Sequence, residues 1–229
     1  MKHIILTLLL ITPLISKAQE DKTEKAVSEI PKWILKSSPL AFIDPFGFTL
    51  AVYAEQPLAN QHALEYEAGY IINGGEGFQK QSNGYRLRAS YRYYLTPVDF
   101  NKGVNFYMSL SGQYKRLIDK REDFVWRGNF AYQQKLPYTT VINVISSTFN
   151  IGLWFSSSKN QRIVYDLSMG LGVKKAFIKN KGLPNDASFP KIPWPYDLSF
   201  NGASQPRPNE FISTSGSAVL AFKIGYIIW

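Results

Sequence analysis

Large apolar residues alternate with small or polar ones, with a period of two, over most of the chain beyond residue 46. The clearest stretch is GYRLRASYRYYL at 84–95. Tyr85, Leu87, Ala89, Tyr91, Tyr93 and Leu95 fall on one face; Arg86, Arg88, Ser90, Arg92 and Tyr94 fall on the other. A helix would mix these residues around its circumference, whereas a strand separates them. The same reading predicts eight strands, at 33–43, 46–55, 62–72, 84–95, 103–115, 139–155, 162–175 and 213–229. The segments between them carry turn and loop residues: Pro57 and Asn60, the glycine-rich 73–83, Pro97 and Asp99, the charged 116–138, SSSKNQ at 156–161, and the proline-rich 176–212.

Three patterns predict which face meets the outside. Most of the strands run 10–14 residues, as a tilted bilayer-spanning strand of about 9–11 requires and an ordinary strand of about 5–6 does not. The links after the second, fourth and sixth strands are short, and those after the third, fifth and seventh are long, the asymmetry of outer-membrane barrels. The short link at Asp44-Pro45 breaks it. One face of most late strands is large and apolar while the other is small or polar, where a soluble sandwich would turn its large residues inward. The expected fold is an all-β, eight-stranded, antiparallel up-and-down transmembrane β-barrel with long extracellular loops.

With the apolar face toward lipid, the lumen receives Glu55, Glu65, Glu67, Arg86, Arg88, Arg92, Asp166 and Lys223 among Ser, Gly and Asn. An eight-stranded barrel holds little beyond side chains, so these residues are expected to form a closed ion-pair network, with Glu65 and Glu67 beside the arginines of the next strand. Tyr91, Tyr93, Tyr94, Phe106 and Tyr107 cluster about one turn and predict an aromatic girdle there.

Composition and targeting agree. Aromatic residues make up 15% of the 229 residues, charged ones 19%, and there is no cysteine. That excludes a disulfide framework, a thiolate nucleophile and Cys-based zinc. Lys2, the apolar 4–15 and Ser16-Lys17-Ala18 read as a secretory signal cleaved after residue 18. Residues 19–31 read as a flexible periplasmic lead-in, and 32–229 as the barrel. Loss of Lys2 and Lys17 takes the net charge from +9 to +7. The remaining basic residues are dispersed, so no nucleic-acid partner is expected. No segment is long and apolar enough for a transmembrane helix, which leaves a barrel as the spanning structure.

The segments SPLAFIDPFGFTLAVYAEQPL at 38–58, EYEAGY at 65–70, YRLRASYRYYL at 85–95 and the terminal KIGYIIW resemble those of small outer-membrane β-barrel proteins of Bacteroidota, many of them domains of unknown function. The resemblance implies an eight-stranded barrel in the outer membrane of a Gram-negative bacterium, delivered to the barrel-assembly machinery through a C-terminal aromatic signal formed by Tyr226 and Trp229. Tyr226 lies three residues before the terminal aromatic, where the usual pattern has two.

Catalytic chemistry is not expected. Lipid-modifying barrel enzymes use Ser and His near the membrane rim, and the only histidines are His3, in the signal, and His62, by a predicted periplasmic turn. A metal site or cofactor is likewise not expected. The loop residues Phe189, Trp194, Tyr196 and Phe200 form a candidate recognition surface for a protein or glycan, or a cap over the barrel mouth. The expected function is a structural or partner-binding barrel in contact with membrane lipid. The alternatives are a lipid-modifying enzyme and a secreted soluble barrel holding an apolar ligand.

Overall fold

The structure, a computed structural model, describes residues 31–39, 48–59, 61–72, 79–98, 103–128, 131–156, 162–187 and 210–228. These residues form one all-β, antiparallel sheet: β1 (Trp33–Ser37), β2 (Phe48–Ala59), β3 (His62–Ile72), β4 (Gln79–Tyr94), β5 (Val104–Arg127), β6 (Tyr132–Ser156), β7 (Ile163–Lys181) and β8 (Glu210–Ile228). Each strand pairs with its neighbours in sequence, and β1 pairs with β8 to close the barrel. The signal and lead-in at 1–30, the candidate recognition loop and Trp229 lie outside the described residues.

The register fixes the barrel's shape. Following paired residues from Leu35 through Ala54, Tyr66, Ala89, Gly112, Ser147 and Val173 leads to Gly216 on β8. Leu35 itself pairs with Tyr226, ten residues further along β8. This offset is the shear. With ordinary strand rise and spacing it gives a tilt of about 40° and a backbone radius of about 8 Å. The interior is therefore only wide enough for side chains.

The two faces separate as the alternation predicts. On β4, Tyr85, Leu87, Tyr91 and Tyr93 are exposed, whereas Ser90, Arg92 and Tyr94 are buried. Outward positions are apolar or small over 85–95 along β4 and just past its end, 104–114 on β5, 145–155 on β6, 163–173 on β7 and 218–228 on β8. Each run covers eleven residues, which at this tilt rise about 25 Å along the axis. The exterior is thus an apolar belt of even height, with Leu110 60% and Leu171 73% exposed.

Two expectations are corrected. The segment at 116–138 is not a long loop: β5 continues to Arg127 and β6 begins at Tyr132. Likewise β7 runs to Lys181 and β8 starts at Glu210, which shortens the expected loop at 176–212. These extensions rise above the belt, where apolar and charged residues occur on both faces: Leu117 and Asp119 inside, Ile118 with Arg116 and Lys120 outside. The period-two signal fades there, while backbone pairing, which needs no particular side chain, continues. Within the extension Asp119 is fully buried, not part of a solvated charge run. Smaller shifts are that β1 ends at Ser37 and that β2 runs on to Ala59, through part of the expected turn.

At the far end of the β5–β6 hairpin, Val125 and Tyr138 pack with Ala187, Leu136 and Leu183. Arg127 clasps Asp186 through Nε at 2.9 Å, and the Gly128 N–H donates to the same carboxylate at 3.1 Å. Hydrogen bonding to Arg127 holds the Asp186 carboxyl below its usual range.

Candidate functional site

The lumen is layered. At the short-turn end, Ile34, Ala63, Tyr94, Tyr107, Trp154, Val164 and Ile227 form an apolar floor with Val98. Tyr94 and Tyr107 are therefore interior, 1% and 2% exposed, and correct the expected girdle. They sit on the lumen-facing sides of β4 and β5, and their rings meet edge to face at 5.7 Å. Tyr91 and Tyr93 do face outward, beside His62.

Next to this floor lies a ring of six charges: Lys36 from β1, Glu55 from β2, Glu65 from β3, Arg92 from β4, Asp166 from β7 and Lys223 from β8. All are 0–3% exposed. Three cations face three anions, so the ring is neutral. Lys36 Nζ donates to Glu55 Oε2, to Asp166 Oδ2 at 2.7 Å and to Glu65 Oε2 at 3.4 Å. Arg92 spans the lumen, with NH1 3.1 Å from Glu55 Oε2 and 2.7 Å from Asp166 Oδ2, and NH2 2.5 Å from Glu65 Oε2. Lys223 Nζ donates to Glu65 Oε1 at 2.6 Å. The remaining oxygens accept from hydroxyls, Glu55 Oε1 from Tyr94 at 2.5 Å and Asp166 Oδ1 from Tyr107 at 2.6 Å. All six carboxylate oxygens thus have donors, which is what makes a buried charge layer tolerable.

Small residues make room for these long side chains. Gly225 pairs with Lys36, and a Cβ there would meet Lys36 Cγ at 2.6 Å. Gly152 pairs with Tyr107, and a Cβ would meet the Tyr107 hydroxyl at 2.6 Å and Leu167 O at 2.8 Å. The cations are also held by rings: Arg92 Cζ lies 4.4 Å from the centroid of Tyr107, and Lys223 Nζ 4.5 Å from that of Tyr53.

Glu67, Arg86 and Arg88 form a separate cluster further along. Glu67 pairs in register with Arg88 and lies diagonal to Arg86. Its Oε1 is 2.5 Å from Arg86 Nε and its Oε2 3.2 Å from Arg88 Nε. Arg88 also donates to Gln113 Oε1 at 2.7 Å. Hydroxyls and amides surround the lumen nearby, with Asn150 Nδ2 3.3 Å from Ser109 and 3.2 Å from Ser111, and Ser111 2.6 Å from Thr148. Higher still, Ile71, Leu117, Ile142, Ala176 and Ile178 form a second apolar layer.

The expected lumen residues thus divide into two groups: Glu55, Glu65, Arg92, Asp166 and Lys223 in the ring, and Glu67, Arg86 and Arg88 apart from it. Sequence reasoning missed Lys36 as a partner, together with the Tyr94 and Tyr107 hydroxyls. The signal for Lys36 was present, since Trp33 and Leu35 point outward and Ile34, Lys36 and Ser38 inward. Tyr226 is outward on β8, and its hydroxyl accepts from Arg162 at 3.0 Å.

The ring offers little for chemistry. Carboxylate oxygens of Glu55, Glu65 and Asp166 lie within 4.8 Å of one another, a spacing a cation could use. Those oxygens already accept from three cations and two tyrosines, so a metal would have to displace an ammonium or a guanidinium. His62 Nδ1 lies 2.6 Å from the Tyr91 hydroxyl on the outer surface at the short-turn end, with no activated serine or carboxylate beside it among the described residues.

Comparison with family models, curated proteins and solved structures found no match to this chain.

Proposed function

We propose that this protein is an integral outer-membrane β-barrel of a Gram-negative envelope, of the kind its sequence resembles. In this reading the barrel is closed by its own side chains and acts structurally or by binding partners at the long-strand end. One observation carries the proposal: the polarity of the barrel is inverted. Large apolar side chains cover the outside in a belt about 25 Å tall, while six charges lie buried inside. Water on the outside would leave that belt unburied, far beyond the few hundred Å2 a soluble monomer usually exposes. Lipid accommodates it at no cost.

The long-strand end faces away from the cell in this reading, and the short turns face the periplasm. The neutral ring and its apolar floor obstruct passage of solutes. The same inversion argues against a soluble barrel with an apolar ligand, because the expected ligand cavity is occupied by ion pairs. The enzyme alternative has no comparable support, since His62 lies at the opposite end from the outer leaflet.

The test is expression with membrane fractionation and gel mobility before and after heating. The proposal predicts recovery with the outer membrane and a compact band that shifts on boiling. Recovery as a soluble periplasmic protein without a band shift would overturn it.

A further inference from the structure

The upper edge of the apolar belt is uneven in charge. On β5 and β7, outward positions just above it carry Arg116, Lys120, Lys175, Lys179 and Lys181. The register brings these together across β6. Arg116 and Phe177 share a row through Asn143, and Lys120 and Lys181 share one through Thr139. Lys179 lies in the row between, and Lys175 in the row below, next to Ile145 and Tyr114 of the belt. The patch spans three strands, about 10 Å across. Glu210 of β8 pairs in register with Lys179 at its side, and Glu122 is the next outward position above Lys120 on β5. Further round the rim, Ile72 on β3, Asn83 on β4 and Thr214 on β8 are neutral.

Three of these cations are not consumed by the fold. Lys120, Lys175 and Lys181 have no carboxylate partner among the described residues and are exposed. Lys175 instead holds its ammonium 5.6 Å from the ring centroid of Phe177. Cations here are interleaved with apolar and aromatic side chains and are continuous with the belt. A soluble polyanion would satisfy the charges and leave the apolar rows bare. An anionic group attached to acyl chains satisfies both, with the lysines reaching up to it from the edge of the apolar layer.

From this juxtaposition we infer that the outer face of β5–β6–β7 is a binding site for the phosphate-bearing headgroup of a lipid in the leaflet at the long-strand end. The inference rests on the membrane-spanning reading and adds to it a chemical preference and a side of the barrel. Lipid phosphate engages Arg116 and Lys175 at the lower edge of the patch and Lys120 and Lys181 above. The rest of the rim, without such a cluster, does not discriminate between headgroups.

The test uses the full mature chain reconstituted into phosphatidylcholine vesicles with and without phosphatidate, a phosphate monoester on a diacyl anchor. Insertion is read by the heat-dependent band shift. Preference is read by the phosphatidate that stays with the protein after detergent extraction, relative to phosphatidylcholine. The expected result is insertion in both vesicles and clear enrichment of phosphatidate, reduced by salt. K175Q/K181Q and R116Q/K120Q should each lower the enrichment about fivefold per cation removed. K175R/K181R should retain it, and K135Q, further up the same hairpin, should leave it unchanged. Insertion without enrichment, or enrichment that survives both double substitutions, overturns the headgroup site and leaves the membrane reading standing. Failure to insert overturns both. Displacement of phosphatidate by soluble glycerol phosphate at equal concentration would show a free-anion site and overturn the lipid assignment.

Discussion

Replacing Lys36 by methionine removes one cation from the neutral ring while keeping most of the side chain's length and its apolar stem. Lys36 Nζ touches all three carboxylates of the ring, and its side chain is fully buried. After the change Glu55 Oε2 and Asp166 Oδ2 still accept from Arg92, at 3.1 and 2.7 Å. No carboxylate oxygen is therefore left without a donor, and the dominant penalty is one uncompensated negative charge. Breaking a buried pair in this way costs about 3–5 kcal/mol. E55Q alone should cost a similar amount, by leaving one uncompensated positive charge. The double variant K36M/E55Q restores neutrality and should lose much less than the sum, with a coupling of about 2–3 kcal/mol. The assay is urea unfolding of the barrel in lipid vesicles, followed by the compact-band fraction and by fluorescence of the buried Trp154. A K36M loss below about 1 kcal/mol, or a double variant that loses the full sum, would refute the reading of the ring as a mutually neutralising unit.

Other consequences are as direct. Leu110→Arg, near mid-belt and 60% exposed, should cost about 2–4 kcal/mol in a bilayer; an exposed position in water would tolerate it within about 0.5 kcal/mol. Gly152→Ala should cost about 1–3 kcal/mol by pushing Tyr107 off Asp166, visible as a lower urea midpoint. The Asp186 carboxyl, lowered chiefly by Arg127, should titrate below the ordinary aspartate value by NMR, and R127Q should raise it toward that value, the Gly128 N–H remaining as a donor. Because its folded pKa is depressed, the Arg127–Asp186 clasp contributes above the unfolded aspartate pKa and is lost as pH falls through the folded one. Protection of the β5–β6 hairpin-tip amides against hydrogen exchange, taken relative to the intrinsic rate at each pH, should therefore fall only in acid.

What the sequence made legible follows from what each part of the strand touches. Where one face meets the belt and the other the lumen, as at Tyr85–Arg86–Leu87–Arg88, the contrast is large and alternation identifies both faces. Arg92 and Glu65 could be placed together because adjacent strands bring opposite charges within reach. Lys36 was missed because it shares its face of β1 with the apolar Ile34, so neither face of that strand reads as polar although the alternation is there. Tyr94 and Tyr107 carry large rings, which read as girdle residues although their parity put them inside. Above the belt, apolar and charged residues mix on both faces, as at Leu117, Ile118, Asp119 and Lys120, which erased the pattern, so Asp119 and its neighbours read as loop. Closure through β1 and β8 is a long-range pairing, and no local pattern specifies its ten-residue shear.

The chain contains no native cysteine, so single cysteines along 104–114 of β5 can carry nitroxide labels without background. The decisive measurement is their accessibility, by electron paramagnetic resonance in lipid vesicles, to oxygen, which concentrates in lipid, and to a water-soluble nickel chelate. Labels at Phe106, Met108 and Leu110 should collide preferentially with oxygen, with the ratio greatest near mid-belt. Labels at Asn105, Ser109 and Ser111, which face the packed lumen, should be shielded from both reagents. Labels at Phe106, Met108 and Leu110 that meet the nickel chelate more than oxygen would contradict a lipid-facing belt.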